Sequence, residues 1–115
     1  MKICVTATGK DLNAEVDPRF GRCQYFVIVD PDTMNFEAFP NKSIGDEHDA
    51  GVETSKRIID EGVDVLITGN VGPNALSALS FMEIEVVTGA MGTVGYAIEM
   101  YKNGKLILIG DKTAI

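Results

Sequence analysis

A chain of 115 residues can wrap one ordinary hydrophobic core and is too short for two comfortable ones, so a single domain over residues 1–115 is expected. With 45% hydrophobic and 23% charged residues the composition is that of a folded chain, which argues against wholesale disorder. Seventeen acidic against ten scattered basic residues leave a formal net charge of −7, which repels phosphate backbones and makes nucleic acid an unexpected partner.

Residues 2–7 read as a first β-strand, because their apolar run is broken at once by Gly9, Lys10 and Asp11 and lacks the continuous stretch of a secretory leader. Residues 24–30 are aromatic and β-branched, and residues 33–39 set Met34, Phe36 and Ala38 on one face, so both read as strands. Between them Asp30-Pro31-Asp32-Thr33 places proline where a type I turn wants a fixed φ, with aspartates able to bond the turn backbone. A β-hairpin is predicted. The polar stretch 40–48 has no period, and Asp49 after it can cap a helix that runs to about Glu61 and stops at Gly62. Val52, Ser55, Ile58 and Ile59 mark its buried stripe, with Glu53, Lys56, Arg57 and Asp60 toward water.

The remainder alternates strand (63–68), helix (73–80), strand (84–88) and helix (93–101), and Pro73 suits a first helical turn. Residues 105–109 fit either another strand or a packed extended segment. Such alternation predicts an α/β fold in which parallel strands are joined by crossover helices. No apolar segment approaches the roughly 20 residues that span a bilayer, so a cytoplasmic protein without a membrane partner is expected.

In open α/β sheets ligands sit beyond the carboxyl ends of the parallel strands. Two loops belong there: Gly69-Asn70-Val71-Gly72-Pro73-Asn74-Ala75 and Gly89-Ala90-Met91-Gly92-Thr93-Val94-Gly95. Each feeds a helix, whose free N–H groups and dipole favour an anion. Either loop alone could be an ordinary βα turn; two adjacent ones shift the balance toward a shared site. Neither is a dinucleotide fingerprint or a P-loop, given the G-x-x-G-x-x-G spacing and the missing Gly-Lys-Ser/Thr.

A third element, Val16-Asp17-Pro18-Arg19-Phe20-Gly21-Arg22-Cys23, brings two arginines to a turn before the second strand. Paired guanidinium groups beside Phe20 suit a bulky anion, although surface ion pairs with the abundant carboxylates are the alternative. This stretch, followed by Tyr25-Phe26-Val27-Ile28-Val29 and later by Gly72-Pro73-Asn74-Ala75, resembles the dinitrogenase iron-molybdenum cofactor biosynthesis family from Lys2 to about Tyr101. The resemblance implies a ribonuclease H-like fold with a five-stranded mixed sheet and flanking helices. It also implies a carrier of the iron-molybdenum cofactor, its precursors or a related molybdenum or iron-sulfur cluster, working with a cofactor-assembly protein. The ligand is then expected at the loops already singled out: Arg19, Phe20, Gly21, Arg22 and Cys23; Gly69, Asn70, Val71, Gly72, Pro73 and Asn74; Gly89, Gly92, Thr93 and Val94.

Two cysteines without a C-x-x-C pair make neither a disulfide framework nor a cysteine-rich zinc site. Cys4, in a core strand, reads as a small hydrophobe, whereas Cys23 stands beside two arginines that would lower a thiol pKa and make it a candidate metal ligand. Cys23 also departs from the small residue more usual in the family. His48 could ligate metal with Asp46 or Asp49, or be a solvated loop histidine.

Three functions compete. A non-catalytic binding protein for an anionic metal-sulfur cluster needs only the loops and arginines. A ribonuclease H-type enzyme needs acidic residues on the central strand to hold metal ions, where this chain has Cys4, Val5 and Thr6, so no enzyme is expected. A metal-free module for a phosphate-bearing small molecule or nucleotide would use the same glycine loops.

Overall fold

The computed structural model describes residues 1–42, 50–105 and 107–109, with the side chains of 50–53 and 107–109 outside the description. In chain order the elements are β1 (Ile3–Ala7), β2 (Tyr25–Val29), β3 (Phe36–Pro40), α1 (Ala50–Asp60), β4 (Val65–Ile67), α2 (Pro73–Phe81), β5 (Glu85–Thr88), α3 (Val94–Lys102) and β6 (Ile107–Ile109). They form one mixed sheet in the order β3-β2-β1-β4-β5-β6. The pairs β1/β4 and β4/β5 are parallel; β1/β2, β2/β3 and β5/β6 are antiparallel. The expected mixed sheet is present, and residues 107–109 take the strand alternative as an added edge.

Strands β2, β1 and β4 in the middle of this sheet are buried almost throughout because both faces are covered, and they are apolar apart from Thr6 and the Tyr25 hydroxyl. Along β1, Ile3, Val5 and Ala7 point to one core and Cys4 to the other. Val27, Val29, Val65, Ile67 and Val87 join the first core, which α3 closes with Val94, Ala97 and Ile98. Phe26, Ile28, Leu66 and Val86 join the second, closed by Ile58 of α1 and by Ala75 and Leu79 of α2. Truncating a fully buried leucine such as Leu79 costs on the order of 2–5 kcal/mol.

The hairpin forms later than its sequence pattern predicts. Strand β3 starts at Phe36, not at residue 33, because Met34 has φ 63 and belongs to the turn. Met34 N–H donates to Asp30 O at 2.7 Å and Asp30 N–H to Asn35 O at 2.9 Å, which makes a longer loop than the four-residue turn. Asp30 does bond the turn backbone, accepting from Asp32 N–H at 2.9 Å. On α1, Ser55 and Ile58 are buried and Ile59 packs on the core as expected, and Thr54 joins them. Lys56 and Asp60 face water as predicted, while Arg57 is half-buried, its guanidinium 4.9 Å from the Phe39 ring. The helix ends as predicted: Gly62 N–H meets Ile59 O at 3.0 Å and Val63 N–H meets Ile58 O at 3.3 Å, the paired bonds of a Schellman stop.

Candidate functional site

The parallel strands β1, β4 and β5 end at one edge, and the chain leaving β1 turns back across the ends of the other two. Asp17 N–H donates to Thr6 O at 2.8 Å, Asn70 N–H to Pro18 O at 2.8 Å, and Val16 N–H to Gly92 O at 2.8 Å. The two glycine loops are joined directly, Gly89 N–H to Gly69 O at 3.1 Å and Ala90 N–H to Thr68 O at 3.3 Å. They lie side by side, as strand adjacency predicts, and residues 12–20 knit them together. At Gly69 the approach is so close that a Cβ would stand 2.6 Å from Pro18 Cα, which only glycine permits.

Beneath this edge runs a buried polar chain. Thr6 Oγ1 is 2.7 Å from Asp17 O and 2.7 Å from Thr68 Oγ1. A hydroxyl has one proton; Thr6 gives its proton to the carbonyl, so Thr68 is the donor between the two threonines. The Asp17 carboxylate is also buried and takes Arg19 Nε at 3.2 Å and Nη2 at 3.3 Å. This hydrogen bond and the aspartate charge raise the Arg19 pKa further, so the guanidinium stays charged.

The two helix starts differ. At α3, Thr93 Oγ1 caps Tyr96 N–H at 3.1 Å, while Val94 N–H and Gly95 N–H donate to Ala14 O and Leu12 O, each at 2.9 Å. These donors are spent on the protein itself, which corrects the expectation that this helix start offers them to an anion. At α2, Gly72 is the N-cap without a side-chain bond and Pro73 has no N–H to give. Leu76 N–H makes the first helical bond, to Gly72 O at 2.9 Å, and the N–H groups of Asn74 and Ala75 meet no acceptor among the described residues. The open helix start is that of α2.

Of the predicted residues, Arg19, Asn70, Gly72, Pro73, Asn74, Gly89 and Gly92 are exposed at this edge, Arg22 is exposed on the turn before β2, and Gly21, Gly69, Val71 and Thr93 are half-buried. Phe20, Cys23 and Val94 are core residues. Phe20 and Cys23 pack with α1 and α2, because the turn folds inward onto that face of the sheet. The Cys23 thiol is pushed up to about 12, chiefly by burial; the lowering by Arg19 is a lesser effect, contrary to the activated thiol that its neighbours predicted. Such a thiol is protonated at neutral pH and is a poor metal ligand unless the turn opens. Cys4 is buried with its pKa raised by desolvation, in keeping with a packing role. His48 lies outside the described residues, and among those described no three His, Cys, Asp or Glu side chains are grouped to hold a metal ion.

Three residues escaped the sequence reading. Asp17 stands two before Arg19, a spacing that allows an aspartate to bond the backbone it precedes, and this was the available signal. Asn41 holds the turn from the far end of β3, its Nδ2 donating to Gly21 O at 3.1 Å and Cys23 O at 2.9 Å, and no local pattern announces it. Tyr96 flanks the second loop beside a mainly apolar hollow of about 240 Å³ with Met91 and Met100 in its wall.

The model of the family described as dinitrogenase iron-molybdenum cofactor matches residues 1–104, which includes every segment of this edge. The chain belongs to the dinitrogenase iron-molybdenum cofactor family. Among solved structures it is similar to the apo form of the orange protein from Desulfovibrio gigas, with 38% identity, a TM-score of 0.88, and 91% of this chain and 89% of that one covered. It is likewise similar to a proposed NifB protein from Thermotoga, with 34% identity, a TM-score of 0.83 and coverage of 97% and 96%. A relative in Methanocaldococcus jannaschii, an uncharacterized protein, is 30% identical over 97 residues, 82% of each chain. No helix among the described residues is long and apolar enough to cross a membrane.

Proposed function

We propose that this family member is a non-catalytic carrier that binds an anionic metal-sulfur cluster, an iron-molybdenum cofactor precursor or a related molybdenum or iron-sulfur cluster, and exchanges it with a cofactor-assembly protein. The observation that carries the reading is the pairing of the Arg19 backbone with Asn70 in the loop that leads to the open start of α2, with Arg22 exposed three residues on, in a chain of this family. The cluster is cargo, and the surface suits it by charge and donor type. Guanidinium and backbone N–H groups donate hydrogen bonds to an anion without becoming metal ligands. Gly72 leaves room for close approach, since nothing lies within 4 Å of where its Cβ would be. No step of this function forms or breaks a bond in the protein.

The test is uptake of tetrathiomolybdate or an iron-sulfur cluster by protein purified without oxygen, followed by ultraviolet-visible absorption and metal analysis. Replacing both exposed arginines, Arg19→Ala with Arg22→Ala, is expected to weaken uptake at least tenfold in a protein that still folds, with some loss of thermal stability because Arg19→Ala leaves the buried Asp17 carboxylate without its guanidinium. Wild-type uptake by the folded double variant would remove the surface from the site. Binding of a nucleotide through the same arginines, with no metal uptake, would favour the metal-free alternative.

A further inference from the structure

The carboxylate of Asp17 does not face the ligand surface, yet it holds the arginine that does. The Asp17 side chain is 1% exposed and that of Arg19 59%. Oδ1 accepts from the Arg19 N–H at 3.1 Å and from Nε at 3.2 Å, and Oδ2 accepts from Nη2 at 3.3 Å. This acid cannot follow a wandering guanidinium. Its own N–H is tied to Thr6 O at 2.8 Å and its carbonyl to the Thr6 hydroxyl at 2.7 Å, so it is fastened to the end of a central strand. The Thr6 hydroxyl is fastened in turn to Thr68 at 2.7 Å, at the end of the neighbouring parallel strand.

A guanidinium has five N–H donors in one rigid plane. Here two are spent on Asp17 along one edge of the fork, and three remain on the other edge. The pair is formally neutral, so Arg19 contributes directed donors rather than net charge. A free arginine side chain loses much rotamer freedom on binding, whereas one already clamped loses little.

We propose that Asp17 is a positioning residue that presets Arg19 for the anionic ligand. The inference rests on the carrier reading above, and it assigns to the buried acid a role in affinity exerted only through Arg19.

The experiment is a double-mutant cycle with tetrathiomolybdate as the probe, titrated by its visible absorption, with thermal unfolding to certify each variant. Asp17→Asn and Arg19→Ala are each expected to weaken binding about tenfold, and the double variant to bind no more weakly than Arg19→Ala alone. An equal loss from Asp17→Asn in both backgrounds would overturn the proposal, because the acid would then act on the loops without Arg19. So would unchanged or tighter binding by Asp17→Asn, the latter meaning that its charge merely repels the probe. Wild-type binding by Arg19→Ala would overturn the carrier surface itself, and this inference with it. Arg19→Lys keeps the charge without the fork and is exposed, so it serves even where Asp17→Asn fails to fold. It is expected to bind like Arg19→Ala, and wild-type affinity would refute the need for a fixed fork.

Discussion

Helices α2 and α3 each follow a parallel strand through a glycine-bearing loop, and each begins at the same edge of the sheet. At α3 the first donors are consumed by Leu12 O, Ala14 O and the Thr93 hydroxyl. At α2 the N–H groups of Asn74 and Ala75 have no such acceptor among the described residues, and proline occupies the first helical position. A helix start is an anion site only where the rest of the chain leaves it open, and here that condition separates two otherwise similar loops.

The largest effect is expected where the loops are locked together. Gly69→Ala places a Cβ 2.6 Å from both Pro18 Cα and Pro18 Cβ, contacts that main chain cannot relieve cheaply. About 3 kcal/mol of stability should be lost, as measured by urea unfolding. Wild-type stability would mean that the crossing of residues 12–20 over the loops is loose.

Next is a contrast between the two loops. Gly92 has φ +82 and a Cβ there would meet the Tyr96 ring at 3.0 Å, whereas Gly72 has φ −69 and open space. Gly92→Val is therefore expected to cost about 2 kcal/mol of stability, while Gly72→Val should unfold within about 0.5 kcal/mol of wild type and yet bind its anion less well. If the stable Gly72→Val variant bound tetrathiomolybdate normally, the open helix start would not be part of the site.

The smallest effect sharpens the closed end. Thr93→Ala removes the cap of α3 and should cost about 1 kcal/mol, with ligand affinity unchanged. A large loss of affinity in that variant, with the fold intact, would show that the α3 start takes part in binding after all.

Much of the fold was legible because local rules and global packing agree. The apolar runs of β1, β2, β4 and β5 are buried on both faces, and the Gly62 stop and the Pro73 start fall where their chemistry puts them. Of the candidate site, the side-by-side placing of its two glycine loops was legible. The site was not legible where a residue's environment is made by distant partners. Cys23 beside two arginines looks activated in one dimension, but α1, α2 and Asn41 enclose it in three. Thr93 and Val94 look like ligand donors until Ala14 and Leu12 arrive to occupy the helix start. Asp17 reads as one more acid in an acidic chain, because its burial depends on a crossing that joins residues far apart in sequence.

That crossing also bears on the order in which the molecule folds. Thr6 and Thr68, whose hydroxyls meet at 2.7 Å beneath the loops, are 62 positions apart, so the loop between them must close before β1 and β4 gain any contact. The surface at the strand ends depends on that closure, and an unfolded chain carries none of it. A ligand held there binds the native state alone and shifts the folding equilibrium toward it, by about 2.7 kcal/mol at a free concentration a hundred times its Kd. If the proposed carrier function holds, loading would thus lengthen the lifetime of the chain against proteolysis, and the empty protein would be cleared sooner than the filled one.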